Sequence, residues 1–156
     1  MSSRRNAGQL LLRMALGIGF ILPVLDRLGY LGAPGSSSVA WGSWAVFVRY
    51  TNTLLPFLNE TLAMVMAILA TIAEIVFGVC LIVGYRIQLV AMGAALLTLT
   101  FGLCMAFFTG AGAPFKYPVF VFTGGALLLS TLSAYRWSID ELIQKKKGKI
   151  TPPQAL

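Results

Sequence analysis

The sequence has no histidine and few charged residues. Histidine is the commonest side-chain ligand for haem, zinc and copper and the usual general base, so its absence argues against a haem or metal centre in this chain. Only 11% of the 156 residues are charged, whereas charged residues make up about 25% of a typical soluble domain. With 58% hydrophobic residues and a mean hydropathy of +0.83, the composition predicts a membrane protein.

Cysteine is also scarce, since Cys80 and Cys104 are the only two. Both lie inside apolar runs, and the helical rise would separate them by more than about 10 Å across a membrane. A disulfide needs Cα atoms within about 7 Å, so we expect neither a disulfide nor a dithiol site. The formal charge of +7 comes from residues at the ends of apolar segments, without a basic stripe interleaved with aromatics, so nucleic acid is not an expected partner.

Four apolar segments dominate the chain, at about residues 9–30, 60–85, 87–109 and 117–136. A hydrocarbon core of about 30 Å needs about 20 helical residues. Lipid offers no partner to free backbone groups, so such segments form helices. The sequence therefore predicts an all-α membrane protein with a four-transmembrane-helix bundle. The bundle would occupy a single domain, 1–142, and a basic cytoplasmic tail, 143–156, would follow it.

The connection between the first two segments contains a further helical pattern. Trp41, Trp44, Val48 and Leu55 recur at helical spacing after the loop sequence GAPGSSS. This pattern predicts a short amphipathic helix from about Ser43 to Asn52, lying in the outer membrane interface near the membrane plane. A helix that packs over the mouth of the bundle is the alternative.

Glu74 is a carboxylate near the middle of the second apolar segment. At 100° per residue, branched residues fall on one face of this helix and small residues on the face of Glu74, so helix packing is expected at Ala67, Ala70, Thr71 and Gly78. A charge at mid-bilayer costs about 2.5–3.5 kcal/mol even on lenient scales. Glu74 should therefore point into the bundle and be protonated, paired with a cation, or exposed to a wet or ligand-filled cavity.

Arg13 is the cation that the sequence predicts for Glu74. The helical rise leaves a gap of about 12 Å along the membrane normal, most of which two long side chains could span. In the alternative, Arg13 extends to the inner headgroups and Glu74 stays neutral. A second polar cluster, Asp26, Arg27 and Glu60, is expected at the outer interface, where Arg27 would pair with Glu60 in a structural role.

The chain resembles the DoxX family of small bacterial membrane proteins. The resemblance lies in LLLRMALGIGFILPVLDRLG, AEIVFGVCLIVGYRIQLVAM and APFKYPVFVFTGGALLL, which cover most of residues 10–133. It places Arg13, Glu74 and Gly78 at recurrent positions of the family and Arg27 where lysine is more usual. It also implies a four-helix bundle in the bacterial inner membrane. Relatives include a subunit of an archaeal thiosulfate:quinone oxidoreductase and a member of a mycobacterial membrane complex for thiol stress.

From these observations we expect an accessory membrane subunit of a redox or sulfur- and thiol-related complex. It would have no cofactor of its own and no assigned catalytic residue, and would bind quinone or lipid at Glu74 and Arg13. A membrane redox protein, membrane lipids and further copies of the chain are the expected partners. The alternatives are a small proton-linked transporter and a purely structural membrane protein.

The basic residues at the segment ends predict the topology. One side would carry Arg4, Arg5, Arg86, Arg136, Lys145, Lys146, Lys147 and Lys149, and the other Arg27, Arg49 and Lys116. Cytoplasmic loops carry the excess of Lys and Arg, so both termini should be cytoplasmic. Reporter fusions to the carboxyl terminus should be active only in the cytoplasm, and periplasmic activity would reverse the orientation.

Overall fold

The computed structural model describes residues 3–37 and 39–150, with side chains up to Lys146. These residues contain helices and no strand. The helices are α1 Ser3–Arg27, α2 Trp44–Leu54, α3 Glu60–Val83, α4 Ile87–Phe108, α5 Ala113–Lys116, α6 Val119–Ser130 and α7 Ile139–Ile150. The prediction of an all-helical membrane protein is confirmed at this level.

Three helices, α1, α3 and α4, are long and apolar enough to cross a membrane. The fourth predicted segment, 117–136, is shorter in the structure, because α6 has 12 residues and a length of only about 18 Å. Tyr117 is extended and Pro118 precedes the helix, which delays its start. At the other end, the hydroxyls of Ser130 and Thr131 donate to carbonyls three residues earlier, and the chain leaves the helix there. A bundle of four spanning helices therefore stays a prediction.

The helices pack in two pairs, α1 against α3 and α4 against α6, and α3 also contacts α2 and α4. The beginning of α1, the end of α3, the beginning of α4 and α7 lie at one end of the molecule, which we call the α7 end. The opposite end, which carries α2, is called the α2 end. Between the helices lies an apolar core that includes Leu16, Phe20, Leu81, Ile87, Ala91, Ala94, Ala126 and Leu129.

Two glycines form the close crossing of α1 and α3. A Cβ atom built on Gly17 would lie 3.0 Å from the carbonyl oxygen of Gly78, and one built on Gly78 would lie 3.0 Å from that of Gly17. Both distances are shorter than ordinary van der Waals contact. The two backbones can approach this closely only because both residues lack a side chain. The packing role predicted for Gly78 thus has a physical basis in its contact with Gly17.

The helix predicted in the long connection is present as α2. Ser43 caps its amino terminus by accepting a hydrogen bond from the Val46 amide. Its buried residues are Phe47, Thr51 and Leu54, and it packs mainly on α3. The helix itself is confirmed, whereas its predicted orientation near the membrane plane stays a prediction.

The carboxyl-terminal tail begins with regular structure. α7 runs through the boundary that the sequence placed at residue 142 and continues to Ile150. The remaining part of the predicted tail, 151–156, lies outside the described residues. The cytoplasmic location of this tail stays a prediction.

We expect Gly78→Ala to destabilise the protein, because the new methyl group would press on the Gly17 carbonyl and on Ile21. Overpacking of this kind typically costs about 1–3 kcal/mol. The matched control is Gly124→Ala in α6, where an added Cβ meets nothing within 4 Å. Thermal unfolding in detergent should show a lower melting temperature for the first variant and an equal or higher one for the second, and equal effects would contradict the crossing.

Candidate functional site

Glu74 forms an ion pair with Arg27. The Glu74 Oε2 atom lies 2.6 Å from Arg27 Nη2, and the two side chains are 7% and 1% exposed. Glu74 lies nine residues from Val83, where α3 ends, and fourteen from Glu60, where it begins, which puts it about 14 Å and 21 Å from the two ends of the helix. Glu74 is therefore near the middle of α3, and it points into the bundle as predicted, where its partner belongs to α1.

Arg27 has polar partners along its whole guanidinium group. Its Nε donates to the carbonyl oxygen of Pro23 at 3.0 Å, and its Nη1 donates to Thr71 Oγ1 at 2.8 Å. The Thr71 hydroxyl in turn donates to the carbonyl of Ala67 at 2.7 Å. Thr71 and Glu74 are three residues apart and share one face of α3, so the guanidinium group binds both of them at once.

Aromatic rings cover the guanidinium group from the α2 end. The Phe47 ring centroid lies 3.7 Å from Arg27 Cζ, and the Trp41 ring centroid lies 5.3 Å from it. Arginine is attracted to the faces of aromatic rings, more strongly where water is absent. We call these two rings the aromatic roof.

Asp26 holds the roof in place through backbone hydrogen bonds. Its carboxylate accepts from the amides of Ala40 and Trp41 at 3.0 Å and of Gly42 at 3.2 Å. Gly42 has a positive φ of 65°, and a Cβ there would lie 2.5 Å from the Pro34 nitrogen. Asp26 therefore fixes the loop that positions Trp41, while its neighbour Arg27 binds the pair below.

The predicted pairing of Glu74 with Arg13 is wrong in this structure. Arg13 is buried but lies at the α7 end, where its Nη2 donates to the Trp137 carbonyl at 2.7 Å and its Nη1 to the Arg136 carbonyl at 3.4 Å. These carbonyls need partners because the chain is not helical between α6 and α7. Irregular backbone at membrane depth is tolerated only where protein groups satisfy it.

Other side chains at the α7 end also bind backbone groups that have no helical partner. Gln9 Nε2 donates to the Arg136 carbonyl at 3.0 Å, and the Tyr135 hydroxyl donates to the Leu129 carbonyl at 2.8 Å. The Asp140 carboxylate accepts from the amides of Arg86 and Ile87 and so caps α4. Arg13 is therefore part of a backbone clasp and contributes no charge to Glu74.

Of the remaining predicted site residues, Glu60 lies far from the ion pair, whereas the predicted packing residues lie on the buried face of α3. Glu60 is exposed at the first position of α3, about 21 Å from Glu74, and the structure shows no ion pair between it and Arg27. The predicted outer interfacial pair is therefore wrong, because α3 extends beyond the level of Arg27. Ala67, Thr71 and Gly78 are buried on the predicted packing face, and Ala70 is half-buried.

Other reactive groups are sparse in the described part of the chain. Cys80 and Cys104 are both free thiols. Residues 3–37 and 39–150 contain no group of three His, Cys, Asp or Glu side chains that could hold a metal ion. The Arg27–Glu74 pair itself places one hydrogen-bond donor group and one acceptor group side by side.

A buried ion pair between bilayer-length helices defines this chain as a multi-pass membrane protein. Comparison with known families matches residues 9–154 to the family described as TQO small subunit DoxD. The chain belongs to the DoxD family. The resemblance to DoxX is thus confirmed only as far as DoxD is a related membrane family. The family shown is DoxD, and membership of the DoxX family itself is not confirmed. No curated protein and no solved structure matches the chain.

We expect Arg27 and Glu74 to be energetically coupled. Removing one member of a buried pair typically costs about 3–5 kcal/mol, because the other charge is left uncompensated. The double variant Arg27→Gln/Glu74→Gln should therefore lose less stability than the sum of the single variants, as measured by thermal unfolding in detergent.

Arg13→Gln provides the matched control for this double-mutant cycle, since Arg13 is equally buried. Combined with Glu74→Gln, it should give additive losses within about 0.5 kcal/mol. Coupling of Glu74 to Arg13 instead of Arg27 would contradict the observed pairing.

Proposed function

We propose that this protein is a non-catalytic membrane subunit of a quinone-linked redox complex of the thiosulfate:quinone oxidoreductase type. Membership of a family described as a small subunit supports this assignment. The absence of histidine from the sequence leaves the redox chemistry to a partner protein. The partner would be another membrane protein of the same complex.

The observation that carries the site proposal is the Arg27–Glu74 pair under its aromatic roof. A quinone carbonyl could accept a hydrogen bond from the guanidinium group, and a quinol hydroxyl could donate one to the carboxylate. The Phe47 and Trp41 rings cover the guanidinium group, so a headgroup that reaches the pair would have to displace them or bind beside them. Quinone, or the headgroup of a lipid, is the proposed ligand, and it would enter from the membrane beside α2.

A second candidate role is a purely structural one, favoured by how completely the pair is enclosed. Arg27 is 1% exposed, with its polar contacts met by Glu74, Thr71 and Pro23. Two open grooves lie at the α7 end, away from the pair, and both are lined in part by Tyr135 and Gln144. In this role the pair would fix the register of α1, α3 and the roof, and the partner protein would bind elsewhere.

Quinone content and partner binding distinguish the two roles. The full-length chain should be purified from its native membrane, with co-purifying proteins identified by native mass spectrometry and quinone measured after solvent extraction. We expect Glu74→Gln to reduce quinone per protein molecule severalfold, because the charged carboxylate that accepts the quinol hydroxyl becomes a neutral amide, a weaker acceptor. Arg13→Gln should retain the quinone, since Arg13 lies at the other end of the molecule.

The outcomes separate the parts of the proposal. If Glu74→Gln lowers the melting temperature yet keeps quinone and partner, the pair is a structural clasp and the ligand site is wrong. If the wild-type protein co-purifies with no other membrane protein, the assignment as a subunit is wrong.

A further inference from the structure

The acidic residues of α7 are turned toward the protein. Asp140 accepts the amides of Arg86 and Ile87, each at 2.8 Å. Glu141 lies 2.6 Å from Arg136 Nη1 and 3.0 Å from Lys145 Nζ, and it accepts the Trp137 amide at 2.9 Å. Hydrogen bonds from Arg136, Lys145 and Trp137 lower the pKa of Glu141 from 4.5 to about 2. Both carboxylates are thus occupied by internal contacts.

An apolar row occupies the outward surface of the same helix. Ile139, Leu142 and Ile143 follow the i, i+3, i+4 spacing of one helix face, and Leu142 is 62% exposed. Trp137 precedes the helix and is 61% exposed. Such residues on a helix of otherwise polar composition are typical of a helix that lies in a membrane interface.

Cations flank this row. Arg86, Lys145 and Lys146 are all exposed. In the part of the chain with described side chains, no carboxylate lies within ion-pair distance of Arg86 or Lys146. The sequence adds Lys147 and Lys149 to the same helix. The outward surface therefore combines apolar and positively charged groups, which complements a layer of anionic headgroups.

The fold also holds α7 at the level where headgroups would be. The Asp140 amide donates to the Gly84 carbonyl at 3.0 Å, so α7 begins against the turn that joins α3 to α4. Both of those helices are long enough to span a membrane and end at this turn. A groove of about 280 Å³ beside α7 is lined by Arg86, Ser133 and Gln144, which carry donors for a phosphate group. Asp140 also lines it, with its carboxylate bound to the amides of Arg86 and Ile87.

We propose that α7 is a docking helix for anionic phospholipids. Leu142 and its apolar neighbours contact the boundary between headgroups and acyl chains, and Lys146 and Arg86 contact lipid phosphates. Docking holds the clasp at the α7 end closed, because Asp140 and Glu141 belong to the same helix. The proposal is independent of the redox complex, and it holds for the isolated subunit.

The test uses a nitroxide spin label at Leu142→Cys in the full-length chain, with Cys80→Ala and Cys104→Ala. The protein is reconstituted in vesicles of phosphatidylcholine alone or mixed with phosphatidylglycerol, and the accessibility of the label to oxygen and to a water-soluble relaxant is measured. With phosphatidylglycerol the label should be protected from the water-soluble relaxant. High salt should weaken this protection, because the attraction is screened.

Lysine variants provide the matched comparison. Lys146→Gln should shift the ratio of docked to undocked helix about fivefold toward undocked, since one lysine near an anionic surface contributes about 1 kcal/mol. Lys145→Gln should shift it less, because Lys145 is already paired with Glu141. Lys116→Gln, an exposed lysine at the α2 end, should have no effect.

Three outcomes would overturn the proposal. The first is a label equally open to water in both vesicle types. The second is equal protection of the label in both, which would remove the requirement for anionic lipid. The third is protection by inorganic phosphate added to phosphatidylcholine vesicles, which would identify a free-anion site.

As a second readout that leaves Leu142 intact, the emission of Trp137 in a Trp41→Phe/Trp44→Phe chain should shift to shorter wavelength only with phosphatidylglycerol.

Discussion

The arrangement of the α2 end depends on one guanidinium group. Arg27 carries a charge into the middle of the bundle, where it is tolerated only because Glu74 neutralises it and Thr71, Pro23 and Phe47 surround it. Four parts of the chain therefore meet at a single side chain: α1, two successive turns of α3, and α2. Asp26, the preceding residue, accepts hydrogen bonds from the loop before α2. These two adjacent residues therefore position both the loop and the aromatic roof over the pair.

The opposite end obeys a different constraint, the need to satisfy the carbonyl groups of irregular backbone. The chain leaves helical structure after Ser130 and resumes it at Ile139. Side chains from α1 bind the exposed carbonyls, and Asp140 binds the free amides at the start of α4. Arg13 and Arg27 are thus both buried arginines of α1 with unrelated tasks, one binding backbone and the other a carboxylate.

The sequence was most informative where periodicity was strong. The all-helical character, α2, and the inward orientation of Glu74 followed from the spacing of apolar and small residues. The partner of Glu74 did not. Counted from the crossing of Gly17 and Gly78, Arg13 and Arg27 lie about 12 Å and about 9 Å along the helices from the level of Glu74, so residue counting separates them only slightly. The carbonyls of Arg136 and Trp137, which bind Arg13, could not be read from the sequence. The break at Ser130 was also missed, since hydropathy does not distinguish Ser130 from Thr71 or Thr98, whose hydroxyls make similar bonds inside helices that continue.

The crossing of Gly17 and Gly78 has a consequence for leakage across the membrane. Polar groups lie on both sides of it, Arg13 and Gln9 toward one end and Arg27 and Glu74 toward the other. At the crossing the two backbones approach so closely that a methyl group would already collide, so a water molecule has no room between them. Along this helix contact the chain therefore holds buried charges on both sides of the crossing and leaves no path for water between them.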